Sequence, residues 1–212
     1  MIQFKRLDRE FYIDDTLTVC KKLLGKRIVR IYNGVTLSAM IVETEAYIGT
    51  IDAAAHAYRG MTERNKVMWE EGGVLYVYQI YGMYFCMNVI TEPKGTPAGV
   101  LIRAVEPLEN IETMAALRKA DVTKNKIYSL TSGPGRVCQA LGITKADNGR
   151  NLITDDTITI TEYLDIDQSQ IAVTPRINID YAPEAAKYPW RFFIKGNPFV
   201  SRHKNNSHLF YP

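Results

Sequence analysis

Residues 27–47, RIVRIYNGVTLSAMIVETEAY, contain two β-rich runs, Arg27 to Tyr32 and Val35 to Tyr47, joined by Asn33-Gly34. Asn-Gly between such runs is the strongest short hairpin signal a sequence offers, because both residues accept the positive φ of a tight antiparallel turn. A second strand, turn and strand follows at Leu75 to Asn88, with Tyr76, Tyr78, Tyr81, Tyr84 and Phe85 around the turn glycine Gly82. Val100 to Val105 is apolar on both faces apart from Arg103, which predicts a central strand ended by Pro107. Thr157 to Tyr163, Ile171 to Ile179 and Arg191 to Lys195 add three more strands.

Helices fall between these runs. Asp14 and Asp15 precede Leu17, Cys20, Leu23 and Leu24 on one helical face, and Gly25 ends it. Ile111, Met114, Ala115 and Leu117 mark a second helix, and a loop with Lys124 and Lys126 follows. Ser132-Gly133-Pro134-Gly135-Arg136 opens a third that closes at Gly142. Strands arriving mostly as hairpins with a few helices between predict an α+β fold. The expected form is a single compact domain over residues 1–212, a curved, mainly antiparallel sheet flanked by helices, with a protruding hairpin.

Composition narrows the class. With 46% hydrophobic and 23% charged residues among 212, the chain has the make-up of an ordinary soluble protein with a substantial core. No run approaches the roughly 18 apolar residues of a membrane span, and Met1 to Arg6 lacks the apolar centre of a signal peptide. A cytoplasmic protein is expected. The net charge of +3 permits a nucleic-acid face without demanding one. Cys20, Cys86 and Cys138 are odd in number and far apart, so they read as buried hydrophobes rather than a disulfide or metal framework. The three histidines form no ligand-spaced cluster, so no metal and no cofactor is expected.

Two stretches carry candidate chemistry. At a hairpin tip there is little protein to pack against, so Tyr81 at least should project into solvent or a partner. An aromatic wedge there suits nucleic acid, although a Tyr-rich core strand has the same periodicity. On the second strand of the first hairpin, Glu43, Glu45 and Tyr47 alternate onto one face, the carboxylates about 7 Å apart at the usual rise. Leu37, Ala39 and Ile41 are expected on that same face, leading from an apolar floor into a polar pocket. A carboxylate at such an edge can serve as a base. Two at this spacing also fit an inverting sugar hydrolase, and a solvated strand end paired with surface arginines would show the same pattern.

Longer motifs decide among these. Ile41-Val42-Glu43-Thr44-Glu45-Ala46-Tyr47, Ala54-Ala55-His56 and Leu75 to Asn88 closely resemble the alkyladenine (methylpurine, or 3-methyladenine) DNA glycosylases. The similarity continues in order through Val100 to Pro107, Thr131 to Gly135, Cys138 to Leu141 and Gly196 to Ser201, nearly the whole chain. The resemblance implies a monofunctional base-excision repair enzyme and monomer. It would flip damaged purines (3-methyladenine, 7-methylguanine, hypoxanthine, ethenoadenine) from double-stranded DNA and hydrolyse their N-glycosidic bond. By the same resemblance Glu45 is the general base for a water, placed with help from Arg103 and the backbone of Ile177. Tyr47 stacks on one face of the extruded base, His56 and Tyr78 lie on the other, and Asn88 disfavours the exocyclic amino group of guanine. Tyr81, with Met83 beside it, would fill the gap in the duplex, and Arg64, Arg136 and Lys145 would contact the DNA backbone.

Glu43 has no such role and reads as a structural partner for an arginine. No lysine matches a Schiff-base role, so no lyase step is expected. The chain departs from the family pattern in a short loop, Arg59 to Asn65, with Glu63 where proline is frequent, and in Asn178, where a glycine often follows the water-contacting backbone. A lesion-binding protein that kept the fold and lost activity is the alternative that Asn178 raises.

Overall fold

In the computed structural model, which describes residues 5–122, 124–203 and 206, the first hairpin forms as expected. Strand β1 (Arg27–Tyr32) pairs antiparallel with β2 (Val35–Ile48), and Asn33 and Gly34 turn at φ of 48° and 80°. Met1 to Phe4, on which part of the leader reading rested, and His208 lie outside the described residues.

Strand β2 organises the molecule. One of its edges is lined along nearly its whole length by β5 (Ala98–Glu109), the other first by β1 and then by β8 (Arg191–Ile194). Strands β3 (Leu75–Ile80) and β4 (Tyr84–Ile90) continue beyond β5, β6 (Ile158–Thr161) lies beyond β1, and β7 (Ile171–Thr174) pairs with β8. Among the described residues the result is one open, curved sheet of eight strands, every pairing antiparallel, as the hairpin-rich sequence implied.

Helices α1 (Arg9–Tyr12), α2 (Thr16–Leu23), α3 (Ile111–Arg118) and α4 (Pro134–Ala140) contribute to one core over one face of the sheet. The α2 helix forms where Asp15 accepts from Thr18 N, satisfying an otherwise orphan N–H, and its Val19, Cys20 and Leu23 are fully buried. Truncating Leu23 to Ala would cost about 2–5 kcal/mol through lost burial and the cavity left. A smaller core of Met40, Val42, Ala104, Phe193 and Phe199 covers the opposite face. All three cysteines are buried and free. Among the described residues no helix is long and apolar enough to cross a membrane, and no group of three or more His, Cys, Asp or Glu could hold a metal ion.

Four sequence expectations are corrected. Pro107 does not end β5: it pairs with Ala39 beside a bulge, on a length of strand that β4 no longer borders, where its missing N–H costs no ladder bond to that neighbour. The strand expected over Ile171 to Ile179 stops at Thr174, before Pro175, and the strand expected over Thr157 to Tyr163 is trimmed to Ile158–Thr161. Most consequential is the face of β2. Leu37, Ala39 and Ile41 point into the helix-covered core, but Glu43, Glu45 and Tyr47 do not join them.

The pairing explains the change. Ile41 faces Val105 and Glu43 faces Ala104, so Val42 is an extra residue on β2; then Thr44 faces Ile102, which makes Arg103 an extra residue on β5. A one-residue insertion reverses which face each later side chain occupies. Thr44, donating to Cys20 O of α2, and Ala46 therefore take the core face. The two glutamates and Tyr47 go to the other.

Candidate active site

The two bulges set the site. Glu43 and Glu45 are wholly buried, and Arg103, raised out of the β5 ladder, reaches both: Nε lies 3.3 Å from Glu43 Oε1 and Nη1 is 3.3 Å from Glu45 Oε2. Burial alone would lower the pKa of Arg103, but the charges of Glu45 and Glu43 outweigh it and the guanidinium is held firmly cationic.

Glu45 gathers donors from three separate elements. Ile177 N donates to Oε1 at 2.8 Å, and Tyr47 OH and Arg103 Nη1 reach Oε2 at 3.0 and 3.3 Å. Burial, then the neighbouring Glu45 charge, pushes the Tyr47 pKa well above 10.0, so the phenol stays a donor. Asn178, the residue in question after Ile177, sits at φ of 60°. Asparagine tolerates this left-handed conformation better than most residues, so the turn that aims Ile177 N at Glu45 is kept without glycine.

Glu43 is differently engaged. Oε1 accepts from Arg191 Nε at 2.6 Å and Oε2 from Ser201 N at 2.8 Å. Burial acts to raise its pKa, but Arg103, Arg191 and Ser201 together hold it below the usual carboxylate value. Arg191 is fully buried, also donating to Thr174 Oγ1 and Asn206 Oδ1. This bears out Glu43 as a structural partner of an arginine.

Beside Glu45 lies a cavity of about 40 Å³ lined by Tyr47, Ala54, His56, Met68, Tyr78, Asn88 and Tyr181. Four of these were anticipated. His56 meets Tyr78 edge-on at 4.5 Å between ring centres and hydrogen-bonds Tyr76 OH through Nδ1 at 3.0 Å. Burial of the ring, and next the charge of Arg64, lowers the His56 pKa. The side-chain Oδ1 of Asn88 is buried with no hydrogen-bond partner among the described residues, an acceptor left open in the wall.

A wider groove of about 700 Å³ runs from Arg103, Ile177 and Asn178 past Ser132, Gly133 and Arg136 to Arg202 and His203. Gly133 N donates to Arg103 O, which seats the start of α4 against the bulge and brings Arg136 alongside. Arg64 reaches the hairpin backbone at Gln79 O. Lys145, exposed at the head of a short 3-10 turn, lines neither cavity nor groove.

Of the hairpin tyrosines, Tyr76 is buried and Tyr78, on the same strand face two residues nearer the tip, is half-buried, so burial falls toward the tip. Tyr81 is 82% exposed at φ of 49°, a costly backbone for an aromatic residue, and Met83 beside it is 66% exposed.

Sequence reasoning missed Arg176, Tyr181 and Arg191. An arginine between Trp190 and Phe192 in an otherwise apolar strand was the available signal for Arg191. Arg176 and Tyr181 lie in a loop without local pattern.

Comparison with known proteins gives a consistent result. Residues 10–198 match the family model described as methylpurine-DNA glycosylase (MPG). A protein of Alkaliphilus oremlandii (strain OhILAs) named "Putative 3-methyladenine DNA glycosylase" is 53% identical over 203 residues, covering 93% of this chain and 99% of its own. Proteins of the same name from Bacillus cereus (strain G9842) and Bacillus anthracis (strain A0248) are 53% and 51% identical over 199 residues, each covering 91% of this chain and 97% of its own.

Proposed function

The chain belongs to the methylpurine-DNA glycosylase family, and from that premise we propose that it excises damaged purines by water attack, with Glu45 as general base. The observation that carries this reading is the donor set on Glu45. Ile177 N, Tyr47 OH and Arg103 fix the carboxylate between an aromatic cavity and a cationic groove. A base placed this way takes a proton from water as the water oxygen bonds to C1′ of the extruded nucleotide. The C1′–N bond breaks, its electron pair leaves with the purine, and the carboxylate offsets the oxocarbenium charge that develops on the sugar. The sugar keeps the hydroxyl, so the product is an abasic site in an intact strand.

Tyr47, His56 and Tyr78 form the walls that sandwich the base. Stacking reads planarity and tolerates varied shape, which supports a range covering 3-methyladenine, 7-methylguanine, hypoxanthine and ethenoadenine. Tyr181, an exposed side chain bonded at its hydroxyl to Ala54 O, also lines this cavity. Tyr81 occupies the vacated stack. Extrusion costs a few kcal/mol and least for a mismatched or damaged base, so selection begins before the pocket is reached. Arg136 and Arg64 hold the DNA backbone.

The sugar-hydrolase reading needs a second working carboxylate, and Glu43 is bound to the buried Arg191 and to Ser201 N, whereas Glu45 is held by Tyr47, which lines the aromatic cavity. The test is release of base from labelled duplexes carrying each lesion, with alkali used to cleave abasic sites. Strand breaks only after alkali support the proposal. Breaks without alkali would point to a lyase step, and no breaks at all to a binding protein.

A further inference from the structure

Arg176, which no role so far has claimed, is the most heavily engaged cation near the pocket. It is buried, pairs with buried Asp52 through Nη1 at 2.6 Å and Nη2 at 2.8 Å, and donates to Ala46 O at 2.8 Å and Ala185 O at 3.2 Å. Its guanidinium carbon lies 4.5 Å from the centre of the Tyr47 ring and 5.2 Å from that of Trp190. It therefore touches the backbone between Glu45 and Tyr47, the loop that leads to His56, and, one residue on, the Ile177 amide on Glu45.

We infer that Arg176 is a positioning residue that also sets the charge preference of the base pocket, by occupying one face of Tyr47 with a fixed cation. An aromatic ring attracts a cation through its electron-rich faces, and one guanidinium already draws on that density. A second cation stacked on the opposite face meets a depleted ring and a like charge across it. Neutral planar bases lose little by comparison. The pocket so built discriminates against cationic alkylated purines and in favour of neutral lesions, whose glycosidic bonds are the harder to break. Asp52 tempers the effect, since its carboxylate offsets part of the guanidinium charge.

This rests on the pocket proposed above, and two variants separate charge from packing. Asp52→Asn keeps Arg176 and its bonds to Ala46 O and Ala185 O but removes the compensating charge, so it should lower the affinity for a cationic base relative to a neutral one. The double variant Asp52→Asn with Arg176→Gln keeps planar hydrogen-bonding groups without charge and should move the ratio the other way. The probes are duplexes with 2′-fluoroarabino nucleotides, whose glycosidic bonds resist cleavage, bearing 7-methylguanine as the cation and ethenoadenine as the neutral base. We expect the ratio of the two dissociation constants to shift about fivefold in opposite directions in the two variants. If the double variant does not fold, the Asp52→Asn ratio alone decides. Both affinities falling together at an unchanged ratio would show a purely structural Arg176 and overturn the inference. Wild-type protein binding neither lesion above undamaged duplex would instead reject the pocket itself, and the inference with it.

Discussion

Replacing Glu43 by glutamine should unfold the protein more easily while leaving chemistry largely intact, the reverse of the same change at Glu45. Glu43 has no exposed surface, and its two oxygens hold Arg191 Nε at 2.6 Å and Ser201 N at 2.8 Å, with Arg103 Nε at 3.3 Å. Glutamine keeps one acceptor and turns an NH₂ toward a donor, leaving a buried guanidinium without its counter-charge. Breaking a buried pair from one side costs about 3–5 kcal/mol. At about 2–4 °C per kcal/mol for a chain of this size, the Tm should fall by about 6–20 °C. Because the folded-state pKa of Glu43 lies below its ordinary 4.5, its contribution is complete above that pH and lost as pH falls through the folded value. The gap between wild type and variant should therefore narrow on acidification below about pH 4.5. Circular-dichroism melts at pH 7 and pH 4 measure this, with single-turnover base release at 20 °C run alongside. Release should stay within about tenfold of wild type, about 1.4 kcal/mol of barrier. A Glu43→Gln protein that melts like wild type, or that is folded yet as inactive as Glu45→Gln, would refute the structural role.

Tyr81→Gly should leave the Tm unchanged or slightly raised, since glycine suits the φ of 49° and the ring is 82% exposed; lesion-duplex affinity should fall at least about tenfold as the wedge is lost. Undiminished affinity would remove Tyr81 from the flipping step. Arg136→Gln should weaken all duplexes alike and reduce the salt slope of binding by about 1, whereas Lys145→Gln should do neither; equal effects would mean the DNA track extends beyond the groove. His56 has a folded-state pKa below 6.5, through burial first and Arg64 second, so its contribution is present above pH 6.5 and lost as pH falls. The Tm of wild type should thus drop more between pH 7.5 and pH 5.5 than that of His56→Gln, and parallel drops would contradict the assignment.

Local signals carried the frame of this molecule. Asn33-Gly34 set the hairpin, Asp15 and Gly25 bracketed α2, and Gly133-Pro134 opened α4, each through conformational preferences of a few adjacent residues. The bulges at Val42 and Arg103 were not legible, because they arise from how β2 and β5 fit each other across sequence-distant registers. Those bulges also reversed the expected floor of the pocket, so the strand-face argument for Glu45 rested on an incorrect account of its face. Arg176 and Arg191 escaped notice for the same reason: their partners, Asp52 and Glu43, lie far away in sequence. Resemblance, rather than periodicity, singled out His56 and Asn88, whose surroundings give no local pattern.

The most direct test of the account is single-turnover release of hypoxanthine from a duplex by wild type and Glu45→Gln, with lesion affinity measured for both. The variant should bind the lesion within a few-fold of wild type and release base about 10²–10⁴-fold more slowly. Release by Glu45→Gln at close to the wild-type rate would place the base elsewhere, and binding without release by either protein would leave a lesion-recognition protein rather than an enzyme.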